Sequence, residues 1–293
     1  GFDSMCIDLH THSIYSDGSA RPAELVELAV QHGLKGLALT DHDTVEGVAE
    51  TMRLGQEAGL TVISGVEIST TLRQHTLHML AYGIDPHDTT LRDWLKPLQE
   101  DRARRNGVIL DKLQHLGIDI TADEIADISC CGQTGRPHIA RLMVEKGVVD
   151  SFDAAFRHFL GRNKPAWERR FAYSSIETIA MIHRCGGLAV LAHPGQLDPE
   201  MRLQPTIIRE LVLRGLDGIE VEYPTHSRKT KKKLRAIATQ HQLLITGGSD
   251  YHGQTRPAHR LASAGSGFCP PCALLTALLE RLTTSRYSLH TGS

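Results

Sequence analysis

Short runs of apolar residues alternate along the chain with segments in which apolar residues recur every three or four positions. Short runs of this kind predict buried strands, and the longer periodic segments predict amphipathic helices. The pattern predicts strands at 6–10, 36–40, 61–63, 66–70, 76–82, 188–192, 218–222 and 243–246. It predicts helices at 22–32, 44–59, 175–185, 203–214 and 226–240. The strands 66–70 and 76–82 are expected to form a hairpin around residues 72–75.

The strand pattern fades between residues 88 and 165, where apolar spacing is mostly helical. Helices are predicted there at 91–116, 121–126, 138–146 and 151–160. Strand–helix alternation resumes after this stretch, which is typical of parallel βα folds. We therefore predict an α/β fold, a βα barrel made of residues 5–87 and 166–293. Residues 88–165 are expected to form a small helical insertion domain that acts as a lid over the substrate.

Histidines and acidic residues lie at or near the ends of the predicted strands. In a βα barrel the carboxyl ends of the strands meet at one face, where functional side chains lie. The candidate metal ligands are His10, His12, Asp17, His42, Glu67, His78, His193, Asp250 and His252. His10 and His12 point to the same side of an extended strand, so they can bind one ion together.

This ligand set mixes imidazole and carboxylate groups without a thiolate, which favours Mn, Fe or Zn over Mg. Nine candidate ligands suffice for two or three divalent ions. The competing interpretation is that single histidines are ordinary hydrogen-bonded residues. Asp17, His42 and His252 are the members that best fit a supporting role beside the ligands.

Composition limits the other functions. The formal net charge is -2, so the chain lacks the overall basic field expected for binding long duplex DNA. Its apolar runs are too short for a membrane helix, and its beginning does not resemble a signal peptide. The six cysteines are scattered, which is unlike a secreted disulfide framework and favours a reducing, cytoplasmic location. Cys269 and Cys272 have C-x-x-C spacing, but a loop followed by a proline-started helix is the better interpretation.

At these motifs the sequence resembles the PHP (polymerase and histidinol phosphatase) family of metal-dependent phosphoesterases. The shared motifs are His10-Thr-His12, Asp17-Gly18, Thr40-Asp-His42, Gly65-Val-Glu67, His78, Ala192-His193-Pro and Ser249-Asp250-Tyr-His252. The resemblance implies a distorted (β/α)7 barrel with up to three metal ions. It implies one ion bound by His10, His12, Glu67 and Asp250, a second by Glu67, His78 and His193, and a third by Asp17, His42 and His252.

The insertion resembles, less specifically, a subgroup that acts on nucleotides. These relatives remove a phosphate from nucleoside 3′,5′-bisphosphates, and some degrade short RNA from its 5′ end. The resemblance rests on Arg102-Ala-Arg-Arg-Asn106 and on Gly135-Arg136-Pro-His138. Guanidinium and ammonium groups bind phosphate, so the candidate substrate-binding residues are Arg104, Arg105, Arg136, His138 and Lys164. The alternative is that the arginine run forms a solvated helix face.

The expected reaction is hydrolysis of a phosphate ester by water that the metal ions activate. The candidate catalytic residues are Glu67, Asp250, His193 and Arg136, with Arg136 holding the phosphate. The expected substrate is a small nucleotide bisphosphate or a short oligoribonucleotide. The alternatives are a histidinol-phosphate phosphatase or related small-molecule phosphomonoesterase, a proofreading or regulatory module of a polymerase, and a non-catalytic phosphate-binding protein.

Overall fold

The structure, a computed structural model, describes residues 5–129 and 133–290, without the side chains of residues 286–290. Cys130 and Cys131 lie outside the described residues. Within the described ranges, no helix combines the length and the apolar character that crossing a membrane requires.

Eight strands of the described chain form one mixed sheet. They are β1 (Ile7–Thr11), β2 (Gly36–Leu39), β3 (Thr61–Leu72), β4 (His75–Tyr82), β5 (Tyr173–Ser174), β6 (Leu188–Leu191), β7 (Gly218–Glu222) and β8 (Leu244–Gly247). Their order is β1-β2-β3-β4-β6-β7-β8, and the short β5 pairs with β3. The predicted hairpin is present, because β3 pairs with β4 in antiparallel register and Arg73 takes a positive φ in the turn.

Two details of the predicted sheet were wrong. The sheet is not all parallel, because β4 runs antiparallel to both β3 and β6. The predicted strands 61–63 and 66–70 are one continuous strand, β3, which is long enough to pair with β2 and then with β4. Hydrogen bonds from the His12 amide to the Tyr251 carbonyl, and from the Tyr251 amide to the His10 carbonyl, join β1 to the loop after β8. Closure of the sheet into a barrel stays a prediction.

Helices follow the strands as the periodicity predicts. They are α1 (Pro22–Gln31), α2 (Val48–Glu57), α3 (Thr89–His115), α4 (Ala122–Ile128), α5 (Arg136–Glu145), α6 (Phe152–Ala155), α7 (Ser175–Arg184), α8 (Gln204–Val212), α9 (Arg228–His241) and α10 (Ala273–His290). The predicted helix 151–160 is split, because α6 continues as a π-helical turn, Phe156–Leu160. Helix α2 begins later than predicted, because the chain after β2 first pairs with β3: the Asp43 amide donates to the Glu67 carbonyl.

The apolar side chains form separate clusters. The largest packs α1, α2, α7, α8 and α9 against the sheet. A second joins residues of β1, β2, β4 and β6 to α10, where Leu275 contacts β2 close to Gly36. Helix α10 therefore covers the sheet where β1 and β2 begin, away from the strand ends that carry the histidines. A third cluster lies within residues 109–166.

The predicted boundary at residue 88 cuts through a packed region. Leu91, Leu95 and Leu98 in the first half of α3 belong to the main core, whereas Ile109 and Leu113 in its second half belong to the third cluster. Helix α3 thus connects the sheet to the helices of the predicted insertion. The division into a barrel and a separate lid domain stays a prediction.

Cys6 and Cys269 form a disulfide that joins the start of the first strand to the segment before α10. The scattered cysteine positions did not predict this pair, because the two residues are 263 positions apart and only the fold brings them together. Cys272 is a free thiol beside the predicted helix start. The bridge does not fit the expectation of unpaired cysteines, and the cytoplasmic location stays a prediction.

Candidate metal centre and substrate pocket

Glu67 is the centre of the histidine cluster. It lies in β3, is fully buried, and points its carboxylate into a ring of imidazoles. His10, His12 and His42 lie within 3.3 Å of its Oε2 atom, and His78 and His193 lie within 3.1 Å of its Oε1 atom. They come from β1 and β4 and from the segments that follow β1, β2 and β6, so the sheet gathers side chains that are far apart in the chain.

Asp250 is the second carboxylate that faces these rings. Its Oδ1 atom lies 3.3 Å from His10 Nε2 and 3.1 Å from His12 Nε2. Its Oδ2 atom accepts hydrogen bonds from the Tyr223 hydroxyl at 2.8 Å and from Arg256 at 2.9 Å. The two donors therefore leave one carboxylate oxygen directed at the cluster. Asp250 has a φ of 56°, an unusual conformation for a residue with a side chain and one that often occurs at functional sites.

Asp17 reaches the same cluster from the turn after β1. Its Oδ1 atom lies 3.0 Å from His252 Nε2, and its Oδ2 atom lies 3.6 Å from His42 Nε2. The turn is closed by a hydrogen bond from the Gly18 amide to the Ser13 carbonyl. A Cβ atom at Gly18 would lie 2.4 Å from the His12 carbonyl oxygen, so only glycine fits there.

Three groups of buried or half-buried ligand atoms have metal-binding spacing in the described chain, with the atoms of each group within 4.8 Å of one another. The groups are His10, His12, Glu67 and Asp250; His12, Asp17, His42 and His252; and His42, Glu67 and His78. His193 approaches Glu67 Oε1 but belongs to none of these three groups. The first group is the predicted first ligand set, and the second contains the predicted third set.

Two imidazole nitrogens in this cluster are buried without a hydrogen-bond partner among the described residues: His12 Nε2 and His42 Nδ1. Each nevertheless lies close to the Glu67 carboxylate, at 3.1 Å and 3.3 Å. A buried imidazole nitrogen that faces carboxylates without a hydrogen bond is a suitable metal ligand. The donor set therefore fits divalent ions, while the assignment of each ligand stays a prediction.

Buried carboxylates that sequence reasoning missed hold these ligands in place. Glu220 on β7 accepts a hydrogen bond from His10 Nδ1 at 2.9 Å, which turns His10 Nε2 towards Glu67. Asp8 accepts hydrogen bonds from the Ser249 amide and hydroxyl, and burial raises its pKa to about 6. The sequence feature that could have indicated these carboxylates is an acidic residue inside an otherwise apolar strand, as in Gly218-Ile-Glu220-Val.

The electrostatics of the cluster favour a bound cation. Burial alone would lower the pKa of His12, but the neighbouring carboxylates of Asp250 and Glu67 raise it to about 10. Burial alone would raise the pKa of Glu67, yet His10, His42 and His78 hold it well below its ordinary value. The carboxylates are therefore ionised, and a divalent ion can replace the protons that the imidazoles would otherwise hold.

Arginines form the opposite side of a pocket of about 360 Å³ that opens onto the cluster. Arg102 and Arg105 come from α3, Arg136 begins α5, and Arg170 precedes β5. Arg102 and Arg170 both donate to Asp43 Oδ2, at 3.1 Å and 2.7 Å. This wall thus places four guanidinium groups on one side of the pocket, and two of them pair with a single buried carboxylate.

The arginine wall has an excess of positive charge. Burial and the neighbouring Arg170, Arg136 and Arg102 lower the pKa of Arg105 to about 8. Burial together with Arg170 and Arg102 likewise lowers the pKa of Arg136 to about 10. Guanidinium groups that are crowded and short of counter-ions are stabilised by an incoming anion.

The predicted substrate-binding residues divide into two groups. Arg105 and Arg136 line the pocket. His138 is buried beside it, where its ring accepts a hydrogen bond from the Gly135 amide. Arg104 and Lys164 instead lie on the exposed surface, and Arg104 pairs with Asp101 at 2.8 Å. Their side chains do not line this pocket, so their predicted role is not supported.

Arg102, Arg170, Arg256 and Gln196 also line the pocket and were missed as candidates. One signal was available for Arg102, because residues three apart on a helix lie on one face and Arg105 shares that face. Arg170 lies in an irregular segment between the third apolar cluster and β5, so no periodicity in the sequence indicates where its side chain points.

Comparison with known proteins agrees with this geometry. The family described as PHP domain matches residues 8–127. The chain is 34% identical over 254 residues to a 3′,5′-nucleoside bisphosphate phosphatase of Chromobacterium violaceum, which covers 84% of this chain and 87% of that protein. It is 32% identical over 251 residues to the 5′-3′ exoribonuclease Rnm of Escherichia coli, which covers 85% of this chain and 86% of that protein.

A solved structure is also similar: a putative metal-dependent phosphoesterase from Bifidobacterium adolescentis, with a TM-score of 0.86 and 31% identity. The match covers 95% of this chain and 96% of that one. The fold, the histidine and carboxylate cluster and the sequence identity to these relatives agree with one another. The chain belongs to the PHP family of metal-dependent phosphoesterases and is a metal-dependent hydrolase.

Proposed function

We propose that the protein removes the 3′-phosphate from nucleoside 3′,5′-bisphosphates, such as adenosine 3′,5′-bisphosphate. The observation that carries this proposal is a single pocket with a cluster of potential metal ligands on one side and arginines on the other. The cluster around Glu67 is suited to metal ions and a reacting phosphate, and the arginines across the pocket are suited to a second phosphate. A substrate with two phosphates uses both walls, whereas a simple phosphomonoester uses one.

Unpaired donors support the second phosphate site. The Nε atoms of Arg102, Arg105 and Arg170 are buried and have no hydrogen-bond partner among the described residues. Leaving a buried donor unpaired is costly, so such atoms in a pocket indicate a missing acceptor. A phosphate offers several acceptor oxygens and two-point contacts to guanidinium groups, which matches this arrangement.

Different residues of the chain would have different roles in the reaction. His10, His12, Glu67 and Asp250 would hold one divalent ion, and Asp17, His42 and His252 with His12 would hold another. Bound ions would supply an acidified water and neutralise phosphate charge. Tyr223 and Arg256 fix the orientation of Asp250. Arg105 and Arg136 would bind the phosphate that stays on the nucleotide, with the reacting ester placed near Glu67.

A second activity, 5′-to-3′ cleavage of short RNA, is proposed because the E. coli relative is named a 5′-3′ exoribonuclease. The arginine wall would then bind the 5′-terminal phosphate, and the ester at the 3′ side of the same nucleotide would lie at the cluster. The same pocket thus accounts for both substrates, since each presents a phosphate on both sides of one ribose.

The test measures phosphate release from adenosine 3′,5′-bisphosphate, adenosine 3′-monophosphate and histidinol phosphate in the presence of Mn²⁺. We expect the bisphosphate to have the highest kcat/KM. Arg105→Ala should raise KM for the bisphosphate about 10- to 100-fold, the loss typical of one charge-assisted contact. It should change KM for the 3′-monophosphate little, because that substrate lacks the second phosphate.

Arg104→Ala is the matched control, because Arg104 lies on the same helix but pairs with Asp101 on the surface. It should leave KM for both nucleotides near the wild-type values. Equal losses for the two nucleotides in Arg105→Ala would contradict the second phosphate site. Faster turnover of histidinol phosphate than of either nucleotide would favour the histidinol-phosphate phosphatase alternative.

A further inference from the structure

The pocket has a third kind of surface, which neither the metal ligands nor the arginines explain. Besides Pro137, its apolar lining in the described chain consists of the rings of Phe152 and Phe156. These residues are four positions apart in α6 and its π-helical continuation, so they lie on one face. Their ring centroids are 5.1 Å apart and their planes differ by 39°.

We propose that Phe152 and Phe156 bind the nucleobase of the substrate, an inference that rests on the proposed nucleotide phosphatase function. The pocket would then recognise all three parts of a nucleotide bisphosphate. The base would stack on the two rings, one phosphate would contact the arginines, and the other would lie at the cluster around Glu67. Stacking on an aromatic ring accepts every base, because each base has a flat π face.

Arg136 links the aromatic and phosphate sites. Its guanidinium carbon lies 5.5 Å from the centre of the Phe156 ring, and its side chain donates a hydrogen bond to the Leu160 carbonyl at 2.9 Å. The same residue lines the pocket beside Arg105. A base on the phenyl rings and a phosphate on Arg136 would therefore be neighbours, which matches the short distance between the base and the 5′-phosphate of one nucleotide.

The backbone holds the rings at the pocket. The π-helical turn is closed by a hydrogen bond from the Gly161 amide to the Phe156 carbonyl at 2.8 Å. A Cβ atom at Gly161 would lie 2.5 Å from that oxygen, so glycine is needed for this closure. Phe152 and Phe156 are half-buried and rest on the third apolar cluster, which leaves part of each ring facing the pocket.

The experiment compares two substrates that differ only in the base. Adenosine 3′,5′-bisphosphate is compared with an abasic methyl riboside 3,5-bisphosphate, and kcat/KM is measured for each with the metal-loaded enzyme. We expect Phe156→Leu to lower kcat/KM for the adenosine substrate about tenfold, with a change in KM, and to leave the abasic substrate unaffected. Phe152→Leu should act in the same direction, and Phe156→Trp should preserve the preference for the adenosine substrate.

Phe159→Leu is the control, because Phe159 packs against the same apolar cluster and does not line the pocket. Its ratio of kcat/KM for the two substrates should equal that of the wild-type protein. An equal loss on both substrates in Phe156→Leu, or no loss on either, would overturn the base-binding inference. Failure of the wild-type protein to release phosphate from either bisphosphate would instead reject the proposed function itself.

Discussion

The two walls of the pocket are built in different ways. The metal-binding wall is the cluster around Glu67, and its candidate ligands His10 and Glu67 are fully buried within strands β1 and β3. The arginine wall comes from helices α3 and α5 and from the irregular segment around Arg170. Under the proposed function, the reacting centre would depend on the sheet, whereas recognition of the rest of the substrate would depend on the helices and the irregular segment between β4 and β5.

The walls also differ in how their charges are balanced. Around Glu67, imidazole nitrogens lie about 3 Å from carboxylate oxygens, so several side chains could bind the same metal ion. On the other wall, Arg102 and Arg170 pair with the buried Asp43, whereas Arg105 and Arg136 line the pocket without pairing with it. The first wall is therefore suited to cations and the second to anions, and variants of each wall should lose different properties.

The largest effect is expected at the metal-binding wall. Glu67→Gln removes the charge that several imidazoles face, so it should reduce metal content and lower kcat by more than about 100-fold, which exceeds the loss typical for residues that only hold a metal ligand in position. Metal analysis of the purified variant beside kinetic assays would measure both. The control is Glu50→Gln on the exposed surface of α2. Full metal content together with wild-type turnover in Glu67→Gln would contradict a metal centre at this position.

Substitution of Asp43 should have a large effect on the free energy of unfolding. Asp43→Asn leaves Arg102 and Arg170 without their carboxylate, and breaking a buried ion pair in this way typically costs about 3–5 kcal/mol. Chemical denaturation should show this loss, with metal binding retained. Glu57→Gln, which removes an exposed pair with Arg53, should change stability little.

The pKa of the Asp43 carboxyl determines how its contribution to folding stability changes with pH. Burial opposes ionisation of Asp43, but Arg170 and Arg102 hold its pKa well below the ordinary value. A carboxyl whose pKa is lowered by folding adds stability above its unfolded pKa and loses it as pH falls through the folded value. The stability gap between wild type and Asp43→Asn should therefore persist in mild acid and shrink only at strongly acidic pH. A gap that already closes near pH 5 would contradict this account.

A smaller effect is expected from the residue that orients a ligand. Tyr223→Phe removes the hydroxyl that donates to Asp250 Oδ2 and leaves the contact from Arg256. We expect the affinity for Mn²⁺ to fall about tenfold, as is common for residues that hold a ligand in position. Calorimetric titration of the metal-free protein would measure the change. The matched control is Tyr173→Phe, because the Tyr173 hydroxyl donates a hydrogen bond to the Trp94 carbonyl. This variant should bind Mn²⁺ as the wild type does.

Much of the metal-binding wall could be predicted, because its residues follow strands whose apolar runs are clear in the sequence. His10 and His12 lie two apart at the end of β1, and most of the other predicted ligands follow a strand or lie near its start, whereas Glu67 lies inside the long strand β3. The arginine wall could be predicted only in part. Arg105 and Arg136 were identified, but Arg104 points to the surface, since only helix rotation decides which of two adjacent arginines faces the pocket.

The sequence by itself determined the α/β alternation, the hairpin of β3 and β4, and the histidines and acids that make up the cluster around Glu67. Each of these follows from local patterns, the period of apolar residues and the position of polar residues after a strand. Only the tertiary structure decided the antiparallel course of β4, the Cys6–Cys269 bridge and the pairing of Arg102 and Arg170 with Asp43. These features join residues far apart in the chain, and their contacts depend on packing between elements, which no local pattern encodes.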